Sequence, residues 1–186
     1  MVKVARVSAP PVVVRTRRAY FDCKFGQLHV RTAFPTTGGF DEQVTLFCLH
    51  AIDASSRTFT RFLPALADVR SAYAPDLPGF GESDPSPSGS IGDAAIAISD
   101  LANGLRLRQI DVLGTQYGAE VALELAAMRP ELVRRLVLAA VPTADRLRAV
   151  KQRHWMIDAA VYGNDPFGAA APNLASQIGK FLSAHP

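Results

Sequence analysis

The chain contains 186 residues, of which 48% are apolar and 20% are charged, and its formal net charge is +3. This length allows one domain with its own hydrophobic core, and the composition excludes disordered and collagen-like proteins. No segment approaches the roughly 18 consecutive apolar residues that a membrane span requires, so we expect no membrane partner.

Basic residues are concentrated at the start of the chain. Five of them precede the first acid, Asp22, so the remainder of the chain carries a net charge of −2. A nucleic-acid-binding domain usually carries positive charge on its folded body, so we expect no nucleic-acid partner. Residues 1–17 are therefore predicted to be a flexible basic leader, and Pro10-Pro11 argues against a signal peptide there.

The two cysteines, Cys23 and Cys48, favour a reduced cytoplasm over a secreted, disulfide-stabilised protein. Neither cysteine has metal-ligand spacing with a histidine, so we predict no metal site. Gly79-Phe80-Gly81 lacks the G-x-G-x-x-G spacing of a dinucleotide site, so we also expect no cofactor.

The first half of the chain predicts a hairpin and then a buried strand. Residues 19–33 contain two short strands around Gly26-Gln27, and residues 44–49 form an apolar run typical of a strand buried on both faces. A helix is predicted over 56–67, where Pro64 can divide it into two pieces, and another strand over 69–74.

The second half continues with alternating helices and strands. Ser90 and Asp93 have capping-box spacing at the start of a helix that ends near Asn103-Gly104. A strand at 109–113, a helix at 119–129 and a strand at 132–141 follow. This order predicts an α/β fold, with a mostly parallel sheet and helices on both faces.

The last part of the chain has a different pattern, so we divide the chain into a core over 18–142 and a segment over 143–186. Apolar residues at three- and four-residue spacing predict a helix and no further strand. These residues are Leu147, Val150, His154, Ile157 and Val161. One or two more helical turns are predicted around residues 178–182.

Three stretches resemble the α/β-hydrolase fold family. They are the strand end His50-Ala51, the loop 76–83 (Asp-Leu-Pro-Gly-Phe-Gly-Glu-Ser), and the turn 114–118 (Gly-Thr-Gln-Tyr-Gly) between a buried strand and a helix. That position is the one in which the family carries its nucleophile elbow. The resemblance implies an α/β-hydrolase-like core that lacks the last strands, with 143–186 as the start of a helical cap.

The elbow departs from the family at its central residue. Gly114 and Gly118 flank the turn and let the backbone approach closely, but the apex is Gln116 where the family has Ser, Asp or Cys. A carboxamide cannot form the usual acyl-enzyme. We therefore expect no ordinary serine-hydrolase activity, and we do not expect the adjacent Thr115 to replace the nucleophile.

The resemblance also assigns an oxyanion pocket, in which the N–H groups of Ile52 and Tyr117 would be the donors. The family has His-Gly at its oxyanion loop and this chain has His50-Ala51, which is tolerable if Ala51 avoids the left-handed region. We interpret His50 as a structural residue that bonds loop carbonyls rather than as a proton carrier.

The sequence assigns no catalytic acid or base, because in the family these two residues lie after two further strands. Asp145 is a candidate acid, although we interpret it first as an acid at a helix start. His154 is expected to be buried or to line a pocket, and His185 to belong to the tail. No histidine stands at the expected catalytic place.

Missing strands would also leave surfaces open. The edge of the strand at 136–138 would lack a partner, and one sheet face would be uncovered beside the helix at 56–67. Open apolar edges invite pairing. We therefore expect a homo-oligomer, or a partner at the open sheet edge.

Three functional hypotheses remain at this point. The first is an α/β-hydrolase relative of small-molecule hydrolase ancestry, acting on esters, lactones, epoxides or halides, that has lost serine-hydrolase activity or uses atypical residues. The second is a non-catalytic binding or scaffold protein that uses the elbow pocket, with a small-molecule ligand, or the sheet edge. The third is a fragment of a longer hydrolase.

Overall fold

The computed structural model describes residues 15–35, 43–67, 70–139, 144–148, 150–157, 167–168 and 170–184. The strands in these residues are β1 (Arg15–Cys23), β2 (Gly26–Phe34), β3 (Leu46–Leu49), β4 (Ala72–Pro75), β5 (Ile110–Thr115), β6 (Val133–Ala139) and β7 (Arg153–Ile157). The helices are α1 (Phe62–Leu66), α2 (Ile91–Gly104), α3 (Tyr117–Met128), α4 (Ala144–Arg148) and α5 (Ala171–Ser183), with a 3-10 turn at Ser56–Phe59.

The seven described strands form one sheet in the order β1-β2-β4-β3-β5-β6-β7. β2 pairs antiparallel with β1 and with β4, whereas the pairs β4–β3, β3–β5, β5–β6 and β6–β7 are parallel. The predicted mostly parallel α/β sheet is therefore confirmed. β1 begins at Arg15, so strand structure starts three residues before the predicted core boundary at residue 18. The predicted leader covers residues 1–17, of which 1–14 lie outside the described residues.

Apolar helix faces cover both sides of the sheet, as the alternation predicts. One core cluster joins α2 and α3 to the sheet, and a second joins the 3-10 turn, α1 and α5 to the opposite face. Every residue of β3 is buried, which agrees with its uninterrupted apolar sequence. Ser90 caps α2, because its hydroxyl oxygen accepts a hydrogen bond from the N–H of Asp93 at 3.1 Å.

The helix predicted over 56–67 is divided, but not by Pro64 itself. The 3-10 turn ends at Phe59 and α1 begins at Phe62, so Pro64 lies in the first turn of α1. A proline is tolerated there, because the first N–H groups of a helix have no intrahelical acceptor.

The prediction of a helical stripe through His154 and Ile157, with no further strand, is wrong. Residues 153–157 form β7, which pairs in parallel with β6, so the edge at residues 136–138 is not open. Trp155 and Ile157 pack with one core cluster and Met156 with the other, which is the alternation of a strand. Val161 lies outside the described residues, and α4 is the helical part observed in this region.

The prediction of an uncovered sheet face beside α1 is also wrong. α5 packs there and buries Leu174, Ile178 and Leu182 in the cluster that contains α1. These residues are four apart, so they form one face of a helix longer than the one or two turns predicted. The two structural grounds for an open sheet are thereby removed.

A buried charge cluster fixes the end of α5 to the sheet. The carboxylate of Asp111 lies 3.2 Å from the guanidinium of Arg70 and 2.6 Å from that of Arg134. Arg134 and Arg135 each donate a hydrogen bond to the carbonyl oxygen of Leu182 at 2.7 Å. Burial raises the pKa of Asp111, and the bond from Arg134 opposes that rise. The arginines thus satisfy carbonyl groups that a helix end leaves unpaired.

Candidate functional site

The elbow connects β5 to α3, and Gln116 is its apex. Gln116 has φ 48° and ψ −114°, a conformation that residues other than glycine rarely adopt. Its N–H donates to the carbonyl oxygen of Ala139 at 2.9 Å, and its own carbonyl accepts the N–H of Ala119 at 2.9 Å. The side chain is exposed. The turn therefore presents the carboxamide to solvent while the backbone on both sides of it is held by hydrogen bonds.

Gly114 and Gly118 allow this turn by leaving space for neighbouring backbone. A Cβ atom at Gly114 would lie 2.4 Å from the carbonyl oxygen of Gly118. A Cβ atom at Gly118 would lie 2.2 Å from the carbonyl oxygen of Leu49, at the end of β3. Both separations are too short for any side chain, so glycine is required for α3 to start against β3.

The start of α3 can hold negative charge. Tyr117 is the first residue of this helix, so its N–H has no intrahelical acceptor, and the helix dipole adds positive potential there. Burial raises the pKa of the Tyr117 phenol, which keeps that group neutral. This end of α3 therefore suits an oxygen atom that carries partial or full negative charge.

His50 is buried and both of its ring nitrogens are engaged. Nε2 lies 2.9 Å from the N–H of Leu77, which can only donate, so Nε2 must be the unprotonated acceptor. Nδ1 therefore carries the proton and donates to the carbonyl oxygen of Ala51 at 2.7 Å. The pKa of His50 is lowered, chiefly by burial. The neutral ring of His50 therefore links the end of β3 to the loop after β4 through two hydrogen bonds. This arrangement agrees with the interpretation of His50 as a structural residue.

Ala51 and Ile52 begin the turn that follows β3. Ala51 does not have a positive φ, so it avoids the left-handed region, as an alanine in place of the family's glycine must. The left-handed position falls instead on Asp53, with φ 57°. Ile52 is 56% exposed. The site residues named from the sequence thus lie on two turns, one after β3 and one after β5, at the carboxyl ends of adjacent parallel strands.

Phe80 was not singled out from the sequence, yet it joins these two turns. Its ring centroid lies 5.6 Å from that of His50 and 5.8 Å from that of Tyr117. Phe80 comes from the loop after β4, so three consecutive turns meet at one aromatic cluster. Its place between two glycines of the 76–83 loop is the signal that could have identified it.

Asp76 holds the same loop in place, a role that sequence reasoning also missed. Its carboxylate accepts hydrogen bonds from the N–H of Ser56 at 2.6 Å and of Glu82 at 2.9 Å, and it lies 2.9 Å from Nδ1 of His29. Burial alone would raise the pKa of Asp76, but these hydrogen bonds outweigh it and the pKa is lowered. A Cβ atom at Gly81 would lie within 2.1 Å of the carboxylate, so a glycine is needed there as well.

The remaining candidates lie apart from this network. Asp145 is in the first turn of α4, is 89% exposed and pairs with Arg148 at 3.2 Å, which fits an acid at a helix start. His154 is exposed on β7, so its predicted burial is wrong. His185 lies outside the described residues. Thr115 is the last residue of β5 and is not at the apex.

Two further features can be tested in the described residues alone. They contain no group of three or more His, Cys, Asp or Glu side chains arranged to hold a metal ion. No helix in this part of the chain is both long enough and apolar enough to cross a membrane.

Comparison with known proteins identifies the family to which this chain is similar. A family model described as alpha/beta hydrolase fold matches residues 44–186. Pimeloyl-[acyl-carrier protein] methyl ester esterase of Neisseria meningitidis serogroup C is 31% identical over 138 residues, which are 74% of this chain and 47% of that protein. The 2-hydroxymuconate semialdehyde hydrolase of Pseudomonas sp. strain CF600 is 38% identical over 81 residues, which are 41% of this chain and 28% of that protein.

Solved structures agree on the fold. Epoxide hydrolase CorEH has a TM-score of 0.56 and 26% identity, over 68% of this chain and 42% of that one. N-acyl homoserine lactonase AidH, complexed with N-butanoyl homoserine, has a TM-score of 0.59 and 24% identity, over 68% of this chain and 45% of that one. In each of these four comparisons, this chain spans less than half the length of the protein it matches.

Proposed function

The chain belongs to the α/β-hydrolase fold family, and on that premise we propose that its elbow binds a small polar molecule without nucleophilic catalysis. The observation that carries this proposal is the exposed Gln116 at the apex, where the backbone geometry of an elbow coexists with a side chain that cannot attack a carbonyl. His50, the buried histidine of these turns, cannot supply a general base there, because both of its ring nitrogens are engaged.

The ligand class follows from the groups at the elbow. The free N–H at the start of α3 donates to oxygen, and the carboxamide of Gln116 can both donate and accept. The related proteins are named for an ester, a semialdehyde, an epoxide and a lactone, each of which carries an oxygen atom that can accept a hydrogen bond. We therefore assign to this elbow a small molecule with a carboxylate or carbonyl oxygen.

A fluorophosphonate probe tests the absence of a nucleophile. We expect no labelling of the pure protein, and Gln116→Ser should restore little ester hydrolysis, since a serine without its base keeps only a small part of a triad's rate. Stoichiometric labelling at residues 114–118 would overturn the proposal. An esterase of the same fold serves as the positive control for the probe.

Binding is tested with butyrate and methyl butyrate as probes. Gln116→Met should weaken binding of the preferred probe by about tenfold, which is ~1.4 kcal/mol, because the methionine can neither donate nor accept strongly. The side chain is exposed, so stability should stay within about 0.5 kcal/mol. Gln116→Glu should reject butyrate by charge and retain methyl butyrate. If the wild type, Gln116→Met and Gln116→Glu all bound both probes equally well, a role for Gln116 in hydrogen bonding to the ligand would be refuted.

A further inference from the structure

A polar cavity lies away from the elbow, between the β1–β2 hairpin and the segment that contains α1. Its volume is about 160 Å³. Its polar lining comprises three arginines and three threonines, namely Arg17, Arg18, Arg31, Thr16, Thr32 and Thr60. All of these side chains can donate hydrogen bonds, and no acidic side chain is part of the lining.

The strand register brings two of these cations together. Arg18 and Arg31 are directly opposite each other in the antiparallel pair of β1 and β2. Like charges in such a position destabilise a sheet unless an anion lies between them. Arg17 also lines the cavity, but consecutive residues of a strand face opposite sides of the sheet, so the close pair of cations is Arg18 and Arg31.

No described carboxylate lies within ion-pair distance of these arginines. Arg17, Arg18 and Arg31 form no ion pair with any carboxylate in the part of the chain that the structure describes. The hydrogen bond that the carboxylate of Glu82 accepts from the hydroxyl of Tyr20 at 2.9 Å is the main cause that lowers the pKa of Glu82, and Arg18 lowers it further, so Glu82 offsets part of the charge of Arg18. The Nε atom of Arg31 is buried and has no hydrogen-bond partner, which marks an unfilled donor site.

We propose that this cavity binds a phosphate-like oxyanion. Guanidinium groups match tetrahedral oxyanions through paired N–H donors. The hydroxyl of Thr16 is a further donor at the cavity, whereas those of Thr32 and Thr60 already donate to the carbonyl oxygens of Arg17 and Arg57. The volume corresponds to about five water molecules at liquid density. That space accommodates one phosphate group, either as free phosphate or as the terminal group of a larger molecule that extends into solvent.

Titration calorimetry on the full chain tests the site, with inorganic phosphate compared against chloride at matched ionic strength. Phosphate should bind with saturation and chloride should not. Arg31→Gln and Arg18→Gln should each weaken phosphate binding by at least about tenfold, whereas Arg108→Gln, at an exposed arginine outside the cavity, should change it less than about twofold. Equal effects of the three substitutions would show general charge screening and overturn the site.

Two further measurements make the outcome unambiguous. Phosphoserine separates the possible sources: tighter binding than inorganic phosphate indicates a phosphate group on a larger molecule, and weaker binding indicates the free ion. Either result supports the site, while binding of acetate tighter than both would overturn its tetrahedral character. Arg18→Gln should also raise or preserve the melting temperature of the ligand-free protein, since it removes a like-charge contact at an exposed position. A fall in that temperature would contradict the reasoning.

Discussion

Asp76→Asn should strongly destabilise the folded protein, although it replaces only one oxygen atom by an amide nitrogen. The carboxylate serves three donors, the N–H groups of Ser56 and Glu82 and the ring of His29, and the side chain is almost completely buried. An asparagine keeps one oxygen, so one buried N–H loses its acceptor, at a cost of about 1–3 kcal/mol. The surviving hydrogen bonds also lose their charge assistance, about 1 kcal/mol each. We expect a total loss of about 3–5 kcal/mol, the sum of these contributions.

Urea denaturation measures this loss through the fluorescence of Trp155, the single tryptophan, which is half-buried on β7. Far-UV circular dichroism should give the same midpoint if unfolding is two-state. Asp145→Asn is the matched control, because that aspartate is 89% exposed and contacts only the exposed Arg148 among the ion pairs observed. The control should lose less than about 0.5 kcal/mol.

The pH dependence supplies an independent check of the same reasoning. The pKa of Asp76 is lowered from its usual 3.8 in the folded protein. A carboxyl with a lowered folded pKa contributes stability that is present above its unfolded pKa and is lost as the pH falls through the folded value. The difference between the wild type and Asp76→Asn should therefore shrink in acid. A variant as stable as the Asp145 control at neutral pH, or a difference that persists in acid, would refute the argument.

Three other predictions follow from the same structure. Gly118→Ala should cost at least about 2 kcal/mol in urea denaturation because its Cβ would meet a backbone carbonyl, whereas Gly179→Ala, on α5 with no atom within 4 Å of the added Cβ, should gain up to about 1 kcal/mol. Cys23 should react with a thiol reagent in the folded protein faster than Cys48, because Cys48 is fully buried and burial strongly raises the pKa of its thiol; equal rates would contradict this. Light scattering checks the expected homo-oligomer. Both grounds given for it from the sequence are removed, so it now depends on the outer edge of β7, the last described strand on that side of the sheet, and a monomer at micromolar concentration would contradict it.

The sheet and the elbow could be predicted because their signals are local. The buried strands are short apolar runs bounded by turn residues, and α2 has its Ser90 cap three residues before Asp93. The two elbow glycines lie between a buried strand and a helix, and in this context a glycine pair indicates a nucleophile elbow. Each of these signals lies within about ten consecutive residues, so no knowledge of distant contacts was needed.

The part that could not be predicted depends on distant partners. Residues 150–157 carry apolar side chains at both helical and strand spacing, and pairing with β6 decides between them. Two of the three hydrogen-bond partners of Asp76, His29 and Ser56, lie 47 and 20 positions away, so the sequence around residue 76 does not reveal them. The cavity arginines became a group only through the register of β1 against β2.

The geometry of the elbow is separable from the chemistry of its apex. A non-glycine residue at φ 48° costs of order 1–3 kcal/mol, and such strain persists only when the surroundings impose it. Here the surroundings are the contact of Gly118 with the end of β3 and the hydrogen bond from the N–H of Gln116 to β6, neither of which involves the apex side chain. The strained turn would therefore form with serine or glutamine alike, so a sequence can lose its nucleophile without losing the turn that presents it. The elbow geometry shows only that the side chain at its apex is exposed to a ligand. The identity of that side chain decides whether the site can catalyse a reaction or only bind.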